Sequence, residues 1–297
     1  MIGEPGFEIK QRFYQSTFEP YLKHELINDN SYYFLDESWN AWRLDVKKED
    51  IQNMLFVEWI CEQQDKNYPI EFPRLVSYLL DQTNDSLERI SESERAYFEA
   101  TNRKTNDVIA WFSASLRHYK TFFESELRLW STIPYYFAVT NFGKKSGAST
   151  PDELVEVAGG KKYQALKNIK TVLPQGDLKN LIKGFDNIVR NAGDGHDRYE
   201  ITDDDIAILH DIDPATGKAK GKKQIELSKS DLTKLIQTCR KSIWILRNGL
   251  MLFLANNPDF GKRLNKIRPM KLREIESRLK SFADTRWLKV NNFEYDK

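Results

Sequence analysis

Residues Leu178 to Ile201 read LKNLIKGFDNIVRNAGDGHDRYEI. Leu178, Leu181, Ile182, Phe185, Ile188 and Val189 recur at steps of three and four, the period that places side chains on one buried face of an α-helix. Lys179, Lys183, Asp186 and Arg190 form a more polar strip beside it. One amphipathic helix is therefore expected from Leu178 through Arg190-Asn191. Gly193 and Gly195 follow, and glycine takes the positive φ that closes many helices. His196 comes next, so a bend at this point allows a guanidinium and an imidazole to meet. A plainer reading of the same residues also exists. Asp186 stands four residues before Arg190, the spacing of a helix-surface ion pair. An arginine near a helix C-terminus favours the dipole, and His196 could bond a carbonyl in the turn.

Downstream, DIAILHDI (205–212) and KKQIELS (222–228) flank the turn-rich DPATGKAKG. This pattern predicts a β-hairpin insert over about residues 205–228, too small to stand without helices beneath it. Ser228 with Asp231 has the spacing of a capping box. The helix it opens carries Leu232, Leu235, Ile236, Cys239, Ile243, Leu246, Leu250 and Phe253 at helical spacing. A last helix is expected over 271–282. Upstream, Ile51, Met54, Leu55, Trp59 and Cys61 mark one helix, and two more are separated near Thr83-Asn84-Asp85. A long one follows, with Val108, Ile109, Phe112, Leu116, Tyr119, Phe122, Phe123 and Leu127 on its stripe and Pro134 as its latest end. The stretch NFGKKSGASTPDELVE (141–156) reads as a linker that runs into a helix start at Thr150-Pro151-Asp152-Glu153. The expected fold class is mainly α, with a soft boundary between a helical region 1–145 and a helical domain 146–297.

The chain has 297 residues, 40% hydrophobic and 30% charged, with a net charge of +1. That suffices for a sizeable core, and global charge selects no partner. Two cysteines far apart in sequence fit a reducing compartment. The first residues lack the apolar run of a signal peptide, and no run of about 18 apolar residues suggests a membrane span. A cytoplasmic protein without a membrane partner is the expectation.

Arg190, Asn191 and His196 are suited to breaking RNA. The 2′-OH of RNA can attack the adjacent phosphate when one group takes its proton and another protonates the leaving oxygen. Histidine titrates near neutrality. Arginine stays charged and its planar fork can hold two phosphate oxygens. Asn191 could orient the arginine or bind phosphate through its amide. No metal or other cofactor is needed. An arginine followed by a polar residue and, after a short gap, a histidine, at the end of an apolar helix and before another long helix, resembles the signature of the HEPN-domain ribonucleases. The hairpin insert resembles that of the Apea-like branch. The resemblance covers about residues 150–256. It implies a HEPN-like helical bundle, a homodimer that joins two motifs in one cleft, and metal-independent endoribonuclease activity. It also implies a toxin or anti-phage abortive-infection role, with an antitoxin or regulatory protein as a partner. The alternative is a non-catalytic HEPN-like module that binds RNA or a protein. Arg247-Asn248 supplies an internal contrast, because no histidine follows that pair.

Other groups compete with this site. Lys218, Lys220, Lys222 and Lys223 in the hairpin could guide an RNA backbone, or could form a solvated turn that discourages edge pairing. His196-Asp197, His210-Asp211 and Asp203 to Asp205 invite a metal, but the helical spacing of metal hydrolases is missing, so none is expected. His118 reads as surface or core edge. Neither a P-loop nor a nucleophile elbow occurs. Trp39, Trp42, Trp59, Trp111 and Trp130 fit a core or an interface, with base stacking as the other use.

Overall fold

The computed structural model describes residues 47–102, 107–144, 148, 150–194, 199–212 and 219–267. In chain order these form α1 (Lys48–Asn67), α2 (Glu71–Asp81), α3 (Thr83–Asn102) and α4 (Val108–Thr121). A π-helical turn, Phe122–Leu127, joins α4 to α5 (Arg128–Trp130). Then come α6 (Thr132–Phe142), α7 (Pro151–Glu156), α8 (Gly159–Lys167), a 3₁₀ turn over Leu178–Ile182 and α9 (Asn187–Ala192). A sheet of β1 (Tyr199–Ile201), β2 (Ala207–Ile212) and β3 (Ala219–Leu227) leads into α10 (Lys229–Asn256) and α11 (Pro258–Ile267). The mainly helical reading holds. The helix expected over 271–282 and the tryptophans at 39 and 42 lie outside the described residues.

Among the described residues α1 and α10 pack on each other most extensively. α1 is buried on most of its surface: Ile51, Met54, Phe56, Val57, Ile60 and Cys61 are enclosed, and so are Asp50, Asn53, Glu58 and Gln64. α10 lies along it in the same direction. Lys241, midway along α10, meets Asp50 near the start of α1 at 3.1 Å, and Asn256 at the end of α10 donates to Glu58 at 2.6 Å. Between these points Gly249 faces Val57 and the Met54 carbonyl with no room for a side chain. One apolar core contains residues from both sides of position 145, from Ile51 to Leu264. Aromatic rings fill one end of it, with Phe72 stacked on Tyr136 and edge-on to Phe253.

Several local expectations are met. Thr150 caps α7, with Pro151 in its first position. Ser228 and Asp231 form the capping box of α10. α2 and α3 part at Gln82, and the long helix ends at Trp130, before Pro134. Pro134 instead sits in the first turn of α6, where its missing N–H costs nothing. Two details differ. Ile109, placed on the buried stripe by periodicity, is 57% exposed. β1 has no counterpart in the sequence reading: at three residues it is too short for an alternation signal, yet it pairs antiparallel with β2, Glu200 opposite Ile208. The hairpin itself is as expected, with Leu209 opposite Ile225 and the order β1-β2-β3.

Burial raises the Glu58 carboxyl from 4.5 to about 7, outweighing the hydrogen bond from Asn256. The folded chain thus binds this proton more tightly than the unfolded chain does. The stabilisation is complete below the unfolded value and is lost as pH rises through about 7. Glu58→Gln keeps an acceptor for Asn256 and removes the charge. It is expected to raise stability near pH 8 by on the order of 2 kcal/mol and to do little near pH 4. Urea denaturation at both pH values reads the difference.

Candidate functional site

Leu178 to Ala192 form two short elements rather than one helix. The six apolar residues from Leu178 to Val189 are all buried, but the chain turns between Ile182 and Asn187. Gly184 has φ +83°, and a Cβ there would stand 2.8 Å from the Cys239 amide nitrogen. The turn is held by Tyr119 of α4, whose hydroxyl donates to the Gly184 carbonyl at 2.9 Å and accepts from the Asp186 N–H at 2.6 Å. Asp186 restarts the helix as its N-cap, accepting from the Ile188 N–H at 2.7 Å. Its carboxylate therefore serves the backbone, and the anticipated Asp186–Arg190 pair does not form. Periodicity locates the buried face correctly because a turn of this size returns the chain to the same packing surface.

Arg190 lies in the last turn of α9 and reaches α4's continuation. Its Nε and Nη2 donate to Glu124 Oε1 at 3.1 and 2.5 Å, and its Nη1 donates to Asn191 Oδ1 at 2.9 Å. Lys120 stands 3.8 Å from the other Glu124 oxygen and pairs closely with Asp194. The result is a chain of alternating charge: Arg190, Glu124, Lys120, Asp194. Arg190 is 32% exposed and Glu124 41%, so the cluster opens to solvent. Glu124 falls inside the π-helical turn, a backbone feature frequent at functional positions. Arg247 and Asn248, in contrast, are buried within α10. The two Arg-Asn pairs thus have different environments, and only the first presents its guanidinium at the surface.

Gly193 is needed for another reason than the one expected. Its φ is −70°. A Cβ on it would lie 2.6 Å from the Leu116 carbonyl oxygen and 2.7 Å from Lys120 Cβ. Close approach to α4, not a left-handed turn, requires glycine, and that approach brings Asp194 to Lys120. Gly195 and His196 lie outside the described residues, as does Lys218. Lys220, Lys222 and Lys223 fall on β3 rather than in the turn, and their side chains are likewise not described. The structure therefore brings together Arg190 and Asn191 and adds Glu124, Lys120 and Asp194. Sequence alone hides Lys120 and Glu124 because they look like an ordinary surface pair at i,i+4, and Glu124 stands 66 residues from Arg190.

The remaining candidates resolve into structural roles. His118 is buried, stacked on Tyr97, with Nδ1 3.0 Å from Ser93 Oγ and Nε2 3.4 Å from Arg240 Nη2. Ser93 Oγ donates to the Ile90 carbonyl at 3.0 Å, so its proton is already placed on the backbone and this serine–histidine contact is not that of an activated nucleophile. His210 on β2 stands 3.4 Å from Glu200 of β1, and Asp205 pairs with Lys229. Among the described residues no group of three or more His, Cys, Asp or Glu side chains could hold a metal ion. None of the described helices is long and apolar enough to cross a membrane.

Tyr119→Phe is expected to cost about 1–2 kcal/mol, since it strips both partners from the 184–186 turn. Urea denaturation measures it. An unchanged midpoint would show that the turn does not depend on the hydroxyl.

No protein-family model matches the sequence, and neither a curated protein nor a solved structure does.

Proposed function

We propose that the chain is a metal-independent endoribonuclease in which Arg190 steadies the scissile phosphate and His196 transfers protons. The observation that supports this most is the placement of Arg190: a guanidinium oriented by Glu124 and Asn191, yet open to solvent. The three hydrogen bonds use three of its five N–H groups. Two remain for the non-bridging oxygens of a phosphodiester, where negative charge grows during attack. The 2′-oxygen forms its bond to phosphorus and the bond to the 5′-oxygen breaks. The 2′-OH proton goes to a base, and the leaving oxygen gains a proton. The products are a 2′,3′-cyclic phosphate and a 5′-hydroxyl. On this reading RNA is the substrate and a second copy of the chain completes the cleft, in a toxin or anti-phage setting under a partner's control.

A second reading has its own support. Glu124 already neutralises Arg190, which suits a non-catalytic HEPN-like module that binds RNA or protein. Incubating the purified chain with total RNA in EDTA separates the two. Fragments ending in cyclic phosphate are the expected result. Cleavage that requires a divalent ion overturns the proposal, and binding without fragments favours the module.

A further inference from the structure

A groove of about 690 Å³ lies between α1 and the segment that leads into α9. One wall carries Gln52, Asn53, Phe56 and Trp59 of α1; the other carries Gln175, Asn180 and Lys183. The outer wall is built. Leu173 and Gly176 exchange two backbone hydrogen bonds of 3.1 Å across a tight turn. Gly176 sits so close to the Phe56 ring that a Cβ would come within 2.6 Å of it. The Lys183 carbonyl is fixed by the Ser242 hydroxyl at 2.8 Å.

Asn53 is only 8% exposed, but its amide has no hydrogen-bond partner among the described residues. Gln52, Gln175 and Asn180 have unpartnered amides as well. Little of this residue is open, and what is open lines the groove. Trp59, half-buried against Phe56 and Phe137, supplies an aromatic surface beside these amides. Amides that both donate and accept, set around an indole, match the edge and the face of a nucleobase. Lys183 on the groove wall supplies one cation to a phosphate-bearing ligand. From Gly159 to Lys183 the chain has six lysines and one aspartate. Lys161, Lys170, Lys179 and Lys183 are exposed, and none is in an ion pair among the described residues. Asp177 and Glu49 also line the groove. Asp177 caps the 3₁₀ turn, and Glu49 offers an acceptor to base N–H groups.

We infer that this groove seats a nucleobase, with Lys183 on its phosphate. The assignment of that base to a single-stranded RNA rests on the ribonuclease reading; a free nucleotide shares the chemistry. The wall containing Asn180 and Lys183 is joined to α9 through the turn at Gly184, in the same segment of chain as Arg190.

The test is fluorescence anisotropy with 2′-O-methyl octanucleotides, which 2′-OH attack cannot cleave, and competition by free AMP, CMP, GMP and UMP. Two variants are used: Asn53→Ala, and the surface double variant Gln175→Ala with Asn180→Ala, which leaves the core intact. Each is expected to weaken binding at least about tenfold. Loss of oligonucleotide binding identifies a strand; loss confined to mononucleotides identifies a free nucleotide, and both support the site. Binding unchanged in both variants, no binding of either probe by the parent chain, or occupancy by a neutral oligosaccharide overturns it. If the variants lose binding and the parent chain cuts no natural RNA, the base site stands and the ribonuclease reading alone falls.

Discussion

Arg190→Ala is expected to reduce RNA cleavage at least about 100-fold, the scale of removing a donor aimed at developing charge. The fold should survive. Arg190 and Glu124 are both substantially exposed, and exposed ion pairs contribute only about 0–1 kcal/mol. Glu124, left without Arg190, keeps Lys120 at 3.8 Å. Arg190→Lys separates charge from shape: it retains the cation and loses the fork that contacts Glu124 and phosphate together, so most of the loss should remain. Glu124→Gln retains an acceptor for the guanidinium and removes the neutralising charge. Tighter RNA binding with slower cleavage is the outcome if Glu124 holds the arginine in its working orientation. His196→Ala should abolish cleavage to a similar degree. Quantifying cyclic-phosphate fragments, with a thermal melt for each variant, provides the check. Full activity in Arg190→Ala would end the ribonuclease reading whatever the other variants did.

The site is legible in the sequence only where its residues are neighbours along the chain. Arg190 and Asn191 stand out because an apolar helical pattern stops at them. Glu124 and Lys120 do not, because a lysine and a glutamate four apart occur on many helix surfaces, and only the tertiary fold shows that Arg190 lies against them. The same limit explains the unexpected break at Gly184. The buried face of 178–189 has a helical period, yet it is shared by a 3₁₀ turn, a left-handed glycine and a new N-cap. The local signals of the break are Gly184 and Asp186, a glycine followed two residues later by a capping residue. Spacing alone pairs Asp186 with Arg190 instead. The π-helical turn has no sequence mark beyond two adjacent buried phenylalanines, Phe122 and Phe123, which a regular helix also tolerates. Caps are legible because they are local: Thr150 and Ser228 each bond a backbone N–H three residues on. Asn53 is invisible at this level, since an asparagine among the many polar residues of α1 shows its place on the groove only when the neighbours are placed.

Gly249→Val should destabilise the protein by about 3 kcal/mol or more, the upper range for overpacking. A Cβ at this position would come 2.4 Å from Val57 Cβ and 2.7 Å from the Met54 carbonyl oxygen. Neither neighbour can rotate away, because one is a Cβ fixed to its backbone and the other is backbone. Relief requires α10 to move off α1, which loosens the core these two helices share. The gain in helix propensity on replacing glycine is at most about 1 kcal/mol and cannot offset this. Because the core runs through both sides of position 145, the loss should be felt on both. Far-UV circular dichroism and tryptophan fluorescence, which samples Trp130 before that position and Trp244 after it, should report one coincident transition at lower urea. A midpoint unchanged from the parent chain would mean that α1 and α10 do not pack at Gly249. Two separate transitions would mean that the helices before and after residue 145 fold as independent units, with α1 and α10 meeting only as an interface between them.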